Sequence, residues 1–339
     1  MAGSGITPVT VLTGFLGSGK TTLLNRWLHD PRFADTAVLV NELGDIPIDH
    51  ALVRQASERI VVMAGGCICC RAAGDIVRAL RELHFQRVEG AVPEYRRVVI
   101  ETSGLADPAP LLATLVEMPV MAARHALAGV VTTVDAEHGE RQLEAYPEAG
   151  KQAAIADRLV VTKADRVPEA VLARLEARLQ DLNPGARRVR SFHADVDPAL
   201  VLDAGLHRGD GRLPDARGWL NAGAYRHVGD PGLRHDARIA SFAWTCEEPL
   251  DWTDVETALE TLLELRGSRI LRLKGLVHVR GEAGPRAVHA VQHTLYPAAR
   301  LAAWPDEDRR TRLVFIGRDL DEQEVAAIMQ SFLPLASPR

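Results

Sequence analysis

The chain has 339 residues, enough for roughly two domains, because single hydrophobic cores stop growing well below that length. Hydrophobic residues make up 47% and charged residues 25%, the balance of a globular protein with ample core material, and a net charge of −5 excludes the global basic field that nucleic acid or an anionic membrane attracts. With no apolar run approaching the roughly 18 residues of a membrane span, a start that lacks signal-peptide character and four cysteines too sparse for a disulfide framework, the expected compartment is a reducing cytoplasm.

Short β-rich runs then alternate with helical stretches. The predicted strands are VTVLTG (9–14), AVLVNE (37–42), RIVVMA (59–64), RRVVIET (96–102), LAGVVTTV (127–134) and RLVVTK (158–163). Near-continuous Val, Ile and Leu marks strands buried on both faces of a parallel sheet. Helical patterns fall at 20–29, 71–89, 137–155 and 168–181. This alternation predicts an α/β domain over 1–193 with a mostly parallel sheet and ligands beyond the carboxyl ends of its strands. Residues 194–236, rich in Gly, Asp, Arg and Pro, read as a linker or irregular surface segment. From 237 to 339 a strand (238–246), a helix (252–265), strands within 270–281, 286–294 and 312–317, and a last helix (321–331) predict a small α+β domain with an antiparallel sheet.

The motifs lie at the strand ends. GFLGSGKTT (14–22) follows a strand and opens a helix, the context that makes G-x-x-x-x-G-K-[ST] a phosphate loop. Gly14, Gly17 and Gly19, with Ser18 between them, let the backbone wrap phosphates. Lys20 supplies a point charge and Thr21 a hydroxyl for Mg²⁺, while Thr22 is either a further contact or a plain helix residue. In ETSG (101–104), Glu101 ends a strand where an acid holds Mg²⁺, and the Gly104 N–H can meet the γ-phosphate; the alternative for Glu101 is a strand-end salt bridge. In TKAD, Asp165 offers a carboxylate to N1–H and N2–H₂ of guanine, a pattern adenine cannot match, and Lys163 offers a stem to lay across the base. Thr162 stands where guanine readers usually carry Asn, which loosens the expected preference for GTP over ATP.

Three of the four cysteines crowd into GGCICC (65–70). Adjacent cysteines rarely reach disulfide geometry, Cys67-Ile68-Cys69-Cys70 is not redox spacing, and no second pair completes a structural zinc site. An open soft-metal site remains on Cys67, Cys69 and Cys70, against the alternative of buried core cysteines. NELGDIPIDH (41–50) brings Glu42, Asp45, Asp49 and His50, each able to ligate a metal, and Glu42, Asp45 or Asp49 to orient a water; which one does so stays open.

In this order, GFLGSGKTTLL, NELGD…IDH, GGCICC, ETSGLADP and TKAD resemble the CobW-type family of P-loop GTPases, metal-insertion proteins related to the nickel GTPases that serve urease and hydrogenase. LRLKG, Q…W and LVFIGRDLD resemble that family's C-terminal domain. The resemblance implies Mg²⁺–GTP binding, slow hydrolysis and a transition metal, zinc or cobalt, on the cysteines. Asp45 departs from the usual Glu, and only the scattered His193, His207, His227 and His235 stand where many members carry a histidine-rich tract, which argues against metal buffering by histidines. The expected function is a GTP-hydrolysing metallochaperone that delivers its metal to a client protein, with Lys20, Glu42, Asp45 and Glu101 at the hydrolytic centre. The alternatives are a nucleotide-binding metal buffer without productive turnover and a small-molecule kinase. The metal, the client and the oligomeric state stay open.

Overall fold

The computed structural model of the protein describes residues 6–41, 61–65, 73–118, 123–202, 216–225 and 239–333. The chain divides into two compact units, Met1–Arg178 with Ala186–Pro214 and Leu179–Gly185 with Asp215–Arg339.

The first unit is built on seven strands: β1 (Thr7–Gly14), β2 (Thr36–Asn41), β3 (Val61–Gly65), β4 (Arg97–Glu101), β5 (His125–Asp135), β6 (Arg158–Thr162) and β7 (Arg187–Arg190). Their order in the sheet is β3-β2-β4-β1-β5-β6-β7, and every pair is parallel. β1, at the centre, is buried at all eight positions, as its apolar run requires. The helices are α1 (Lys20–Leu28), α2 (Ala73–Val88), α3 (Ala109–Glu117), α4 (Gly139–Ala145), α5 (Pro147–Ala154), α6 (Glu169–Leu182) and the single turn α7 (Ala199–Leu202).

Three expectations need correction. The helix predicted over 137–155 is two helices, because Tyr146 is extended and Pro147, which cannot donate to a preceding turn, starts α5. Strand β7 and helix α3 were not anticipated. The predicted surface segment from 194 begins inside the core instead: Val196, Val201 and Leu202 pack with Leu12, Trp27 and Val131. Trp27 Nε1 donates to the Val196 carbonyl at 2.8 Å and Thr10 Oγ1 to that of Leu202 at 3.2 Å. Two backbone carbonyls are thereby satisfied inside a buried layer, where leaving them unpaired is costly.

Parallel register brings all carboxyl ends to one edge. Gly14 pairs with Thr133, Leu12 with Glu101, and Asp135 with Thr162. On the other flank Val40 pairs with Glu101 and Asn41 with Gly65, so the chain enters the segments beginning at Glu42 and Gly66 from this same edge.

The second unit includes the short helix α8 (Ala216–Leu220), then β8 (Ile239–Cys246), α9 (Trp252–Arg266), β9 (Ile270–Val277), β10 (Arg286–Val291), β11 (Thr294–Leu295), β12 (Ala299–Arg300), β13 (Thr311–Arg318) and α10 (Glu322–Phe332). The sheet order is β11-β10-β9-β13-β8 with β12 on β10, antiparallel throughout. Asp251 and Asp321 cap α9 and α10 by accepting backbone N–H groups, each cap contributing about 1 kcal/mol. The apolar stripes of both helices, Leu259, Leu262 and Leu263 with Val325 and Met329, share a core with Phe242, Leu273 and Phe315. Alternation along β9 turns Arg272 and Lys274 to the opposite face from Leu273, where Lys274 Nζ meets the Trp219 ring and donates to the Trp219 carbonyl. Among the described residues no helix is long and apolar enough to cross a membrane.

Candidate functional site

The loop from β1 to α1 is fixed from both sides. Gly14 has φ of 144°, and a Cβ there would lie 2.3 Å from Thr133 Oγ1 and 2.5 Å from the Thr133 carbonyl oxygen, so only glycine lets the loop pass so close to β5. Ser18 Oγ and Thr133 Oγ1 share a hydrogen bond of 2.6 Å. Thr162 Oγ1 donates to the Ser18 carbonyl at 2.7 Å. Gly17 and Gly19 are left-handed, and Gly19 opens α1. The Lys20 ammonium is buried above its own loop, donating to the carbonyls of Gly14 at 2.8 Å and Phe15 at 3.2 Å. The result is a cation and the amino end of a helix converging on a glycine turn, the arrangement that receives anionic phosphates. Thr22 lies on the exposed side of the first turn of α1.

Beside the loop, Thr21 Oγ1 donates to Glu101 Oε1 at 2.7 Å. Glu101 is 3% exposed, at the end of β4. A hydroxyl and a buried carboxylate side by side form an all-oxygen donor set, which fits a hard cation such as Mg²⁺. Gly104 follows, so close to the phosphate loop that a Cβ would meet Leu16 N at 2.7 Å. Thr102 Oγ1 donates to Thr13 Oγ1 at 2.8 Å. The rest of this segment is held by α5: Gln152 Nε2 donates to the carbonyls of Gly104 and Ala106, and Lys151 pairs with Asp107 at 3.0 Å.

At the end of β6, Lys163 adopts a left-handed backbone with φ of 55°. Its ammonium meets Asp135 Oδ2 at 2.6 Å, while Asp135 Oδ1 accepts from the N–H groups of Glu137 and His138. Asp165 accepts the His193 N–H at 2.9 Å and faces His193 Nδ1 at 3.2 Å. The N–H bond from His193 holds the Asp165 carboxyl below its ordinary range. Phe192–Asp195 is a tight turn with left-handed His193 and Ala194 at its centre, closed by the Asp195 N–H to the Phe192 carbonyl at 2.8 Å. Neither central residue is glycine, and the hydrogen bond that the His193 N–H donates to Asp165 holds that residue in place.

Lys20, Thr21, Glu101 and Gly104 thus come together at the phosphate end, and Thr162, Lys163 and Asp165 at the other. The Thr162 hydroxyl ties the two together through Ser18 and, at 3.2 Å, through the Val134 carbonyl. Glu42, Asp45, Asp49, His50, Cys67, Cys69, Cys70, His207, His227 and His235 lie outside the described residues. Cys246 is buried in the second unit and burial pushes its thiol up, as for an inert core cysteine. Sequence reasoning missed Thr133, Asp135 and Gln152. Only Asp135 carried a signal, an acid closing an apolar strand as Glu101 does. Asp135, Glu137 and His138 bring their ligand atoms within 4.8 Å of one another, but the Asp135 carboxylate is committed to Lys163 and to its own turn.

Comparison with known proteins agrees with this architecture. Residues 8–190 match the CobW/HypB/UreG nucleotide-binding domain and residues 239–333 the cobalamin synthesis protein CobW C-terminal domain. The chain is 33% identical over 319 residues to the zinc chaperone YjiA of Escherichia coli, covering 94% of this chain and 96% of that protein. It is 30% identical over 363 residues to the zinc chaperone CobW of Pseudomonas aeruginosa, covering 96% and 91%. The crystal structure of Zn(II)-bound YjiA GTPase from E. coli superposes with a TM-score of 0.71 at 27% identity, covering 97% of this chain and 99% of that one. With both domain models matched in order along one chain, this protein belongs to the CobW family.

Proposed function

We propose that this chain is a GTPase that carries a transition metal as cargo, zinc in the first instance and cobalt as the other candidate, on Cys67, Cys69 and Cys70, and delivers it to a client metalloprotein. The observation that carries the reading is the meeting of Thr21 with Glu101 beside the Lys20 loop, at the sheet edge where β2 and β3 also end. Lys20 and the N–H groups of the loop hold the phosphates, Thr21 and Glu101 hold Mg²⁺, and Gly104 meets the γ-phosphate. Mg²⁺, when bound, neutralises charge on the phosphate oxygens. Lys163 and Asp165 receive guanine, while the Thr162 hydroxyl, bonded to Ser18, braces the loop rather than reading the base. Glu42 and Asp45 are the groups proposed to orient the attacking water.

Asn41 and Gly65 pair at the ends of β2 and β3, and β2 lies next to the strand that ends in Glu101; this supports a reading in which Glu42 and the cysteine string act near the nucleotide. Nucleotide state and metal affinity then share one edge, and by linkage each changes the other by the same factor. The zinc chaperones similar to this chain support zinc as the cargo.

The test is zinc affinity by competition with a chromophoric chelator, measured with no nucleotide, with GDP and with a non-hydrolysable GTP analogue. The expected result is at least a fivefold difference between the GTP-analogue and GDP states, at the lower end of typical coupling, of about 5-fold to 150-fold. Cys69→Ser with Cys70→Ser is expected to abolish zinc binding while nucleotide binding persists. Equal affinity in all three states defeats the coupling, and zinc retained by the double substitution defeats the cysteine assignment.

A further inference from the structure

Lys163 is tethered by a carboxylate that no motif announces. Asp135 closes β5 in register with Thr162 and is 0% exposed. Burying a carboxylate is costly unless it is paired and hydrogen-bonded, and both of its oxygens are engaged. Oδ1 accepts the Glu137 and His138 N–H groups at 2.7 and 3.3 Å, which fixes the carboxylate plane. Oδ2 takes the Lys163 ammonium at 2.6 Å. The Lys163 backbone is itself fixed in a left-handed conformation, where its N-terminal neighbour Thr162 is bonded to Ser18 and its C-terminal neighbour Ala164 to the Ser191 carbonyl. The four-carbon stem is therefore held at both ends before any ligand arrives.

We infer that Asp135 is the positioning residue for base recognition. It anchors the Lys163 ammonium so that the methylene stem forms a preset apolar wall for the purine ring. A free lysine side chain must be immobilised when the base binds, and that ordering subtracts from affinity; a stem ordered beforehand avoids the loss. Asp135 does not touch the base and acts only through Lys163. The inference rests on the proposal that Lys163 and Asp165 receive guanine.

The test uses the full chain and five variants. Asp135→Asn keeps an oxygen for the Glu137 and His138 N–H groups and removes the charge. Its dissociation constants for GDP and for a GTP analogue are expected to rise together by about tenfold, with KM for GTP rising alike and kcat at saturating GTP unchanged. Lys163→Met keeps a stem without the ammonium and is expected to show the same rise. The double variant is expected to be no worse than either single one, because both remove the same tether. Losses that multiply in the double variant, or wild-type affinity in Asp135→Asn, overturn the inference. A fall in kcat at saturating GTP does so too, because it places Asp135 in the hydrolytic step. Should Asp135→Asn not fold, Asp135→Ser, which also offers an oxygen to the turn, carries the same expectations. Asp165→Asn tests the underlying reading separately: an amide can donate to the 2-oxo group of xanthine, so preference is expected to move from GTP to XTP. If it does not move, base recognition by Asp165 fails, whatever Asp135 does.

Discussion

Thr21 and Glu101 stand 80 positions apart in the chain and 2.7 Å apart at the site. In the proposed Mg²⁺ site the two oxygens would play different parts: the hydroxyl would turn its proton away from the cation, and the carboxylate would contribute charge. Thr21→Val keeps the shape and removes the hydroxyl. Its expected phenotype is a loss of Mg²⁺ dependence: wild-type nucleotide affinity falls when EDTA replaces Mg²⁺, whereas the variant starts at least about tenfold weaker in Mg²⁺ and changes little on chelation. Fluorescent-GDP titration with and without EDTA reads this directly, and a variant that keeps the full Mg²⁺ response removes Thr21 from the cation site. At this scale the sequence was legible where spacing is rigid. Gly14 to Thr21 must be close neighbours to wrap a phosphate, and Glu101 and Asp165 sit at the ends of recognisable strands. Asp135 and Gln152 were not legible as partners, because their roles depend on which strands lie side by side. The bond that the His193 N–H donates to Asp165 depends on β7, a strand whose sequence lacks the apolar pattern of its neighbours.

Strand β7 itself shows why. Its sequence is Arg-Arg-Val-Arg, with no apolar alternation, because it closes one edge of the sheet. Its fourth residue pays for that edge position by binding helix α6: Arg190 donates Nε to Glu176 Oε1 at 2.7 Å and Nη2 to Glu176 Oε2 at 2.8 Å, and reaches Glu169 through Nη1 and Nη2. The hydrogen bond from Arg190 holds the Glu176 carboxyl below its ordinary value of 4.5. A depressed folded value stabilises the fold above the ordinary value, and the contribution disappears as pH falls through the depressed one. Glu176→Gln is therefore expected to cost about 1 kcal/mol at pH near 7, with the gap to wild type closing as pH falls below the ordinary carboxyl value and through the depressed one. Thermal unfolding of both chains across that range checks it, and a gap that widens in acid contradicts the pairing. The central strands were readable because burial on both faces forces continuous Val, Ile and Leu. The break at Tyr146-Pro147 was readable in principle, since proline marks a first helical turn, but the apolar pattern continues across it and masks the boundary.

The two units carry separate cores, and most of the second was legible because its strands and capped helices alternate in the ordinary antiparallel way. Residues 196–202 misled because a Pro- and Asp-containing stretch reads as surface, whereas three of its apolar side chains complete the first core. Phe315, fully buried and stacked on Phe242 at 5.2 Å, is an anchor of the second core. Phe315→Ala is expected to destabilise that unit by about 3–5 kcal/mol. Calorimetry is expected to show the corresponding transition falling, while GDP with Mg²⁺ still raises the transition of the first unit. Complete loss of GDP binding in the variant contradicts independent cores.

One helix in the first unit has a mechanical consequence. The phosphate loop reaches α5 through Phe15, stacked on Tyr146 at 4.7 Å, and the segment after Glu101 reaches the same eight-residue helix through Gln152 and Lys151. A rod pinned to two loops makes their displacements one coordinate. The segment from Gly104 to Asp107 cannot swing out without breaking two hydrogen bonds and an ion pair or carrying α5 with it. Its opening is therefore a collective event, slower and rarer than the excursions of a free loop of that length.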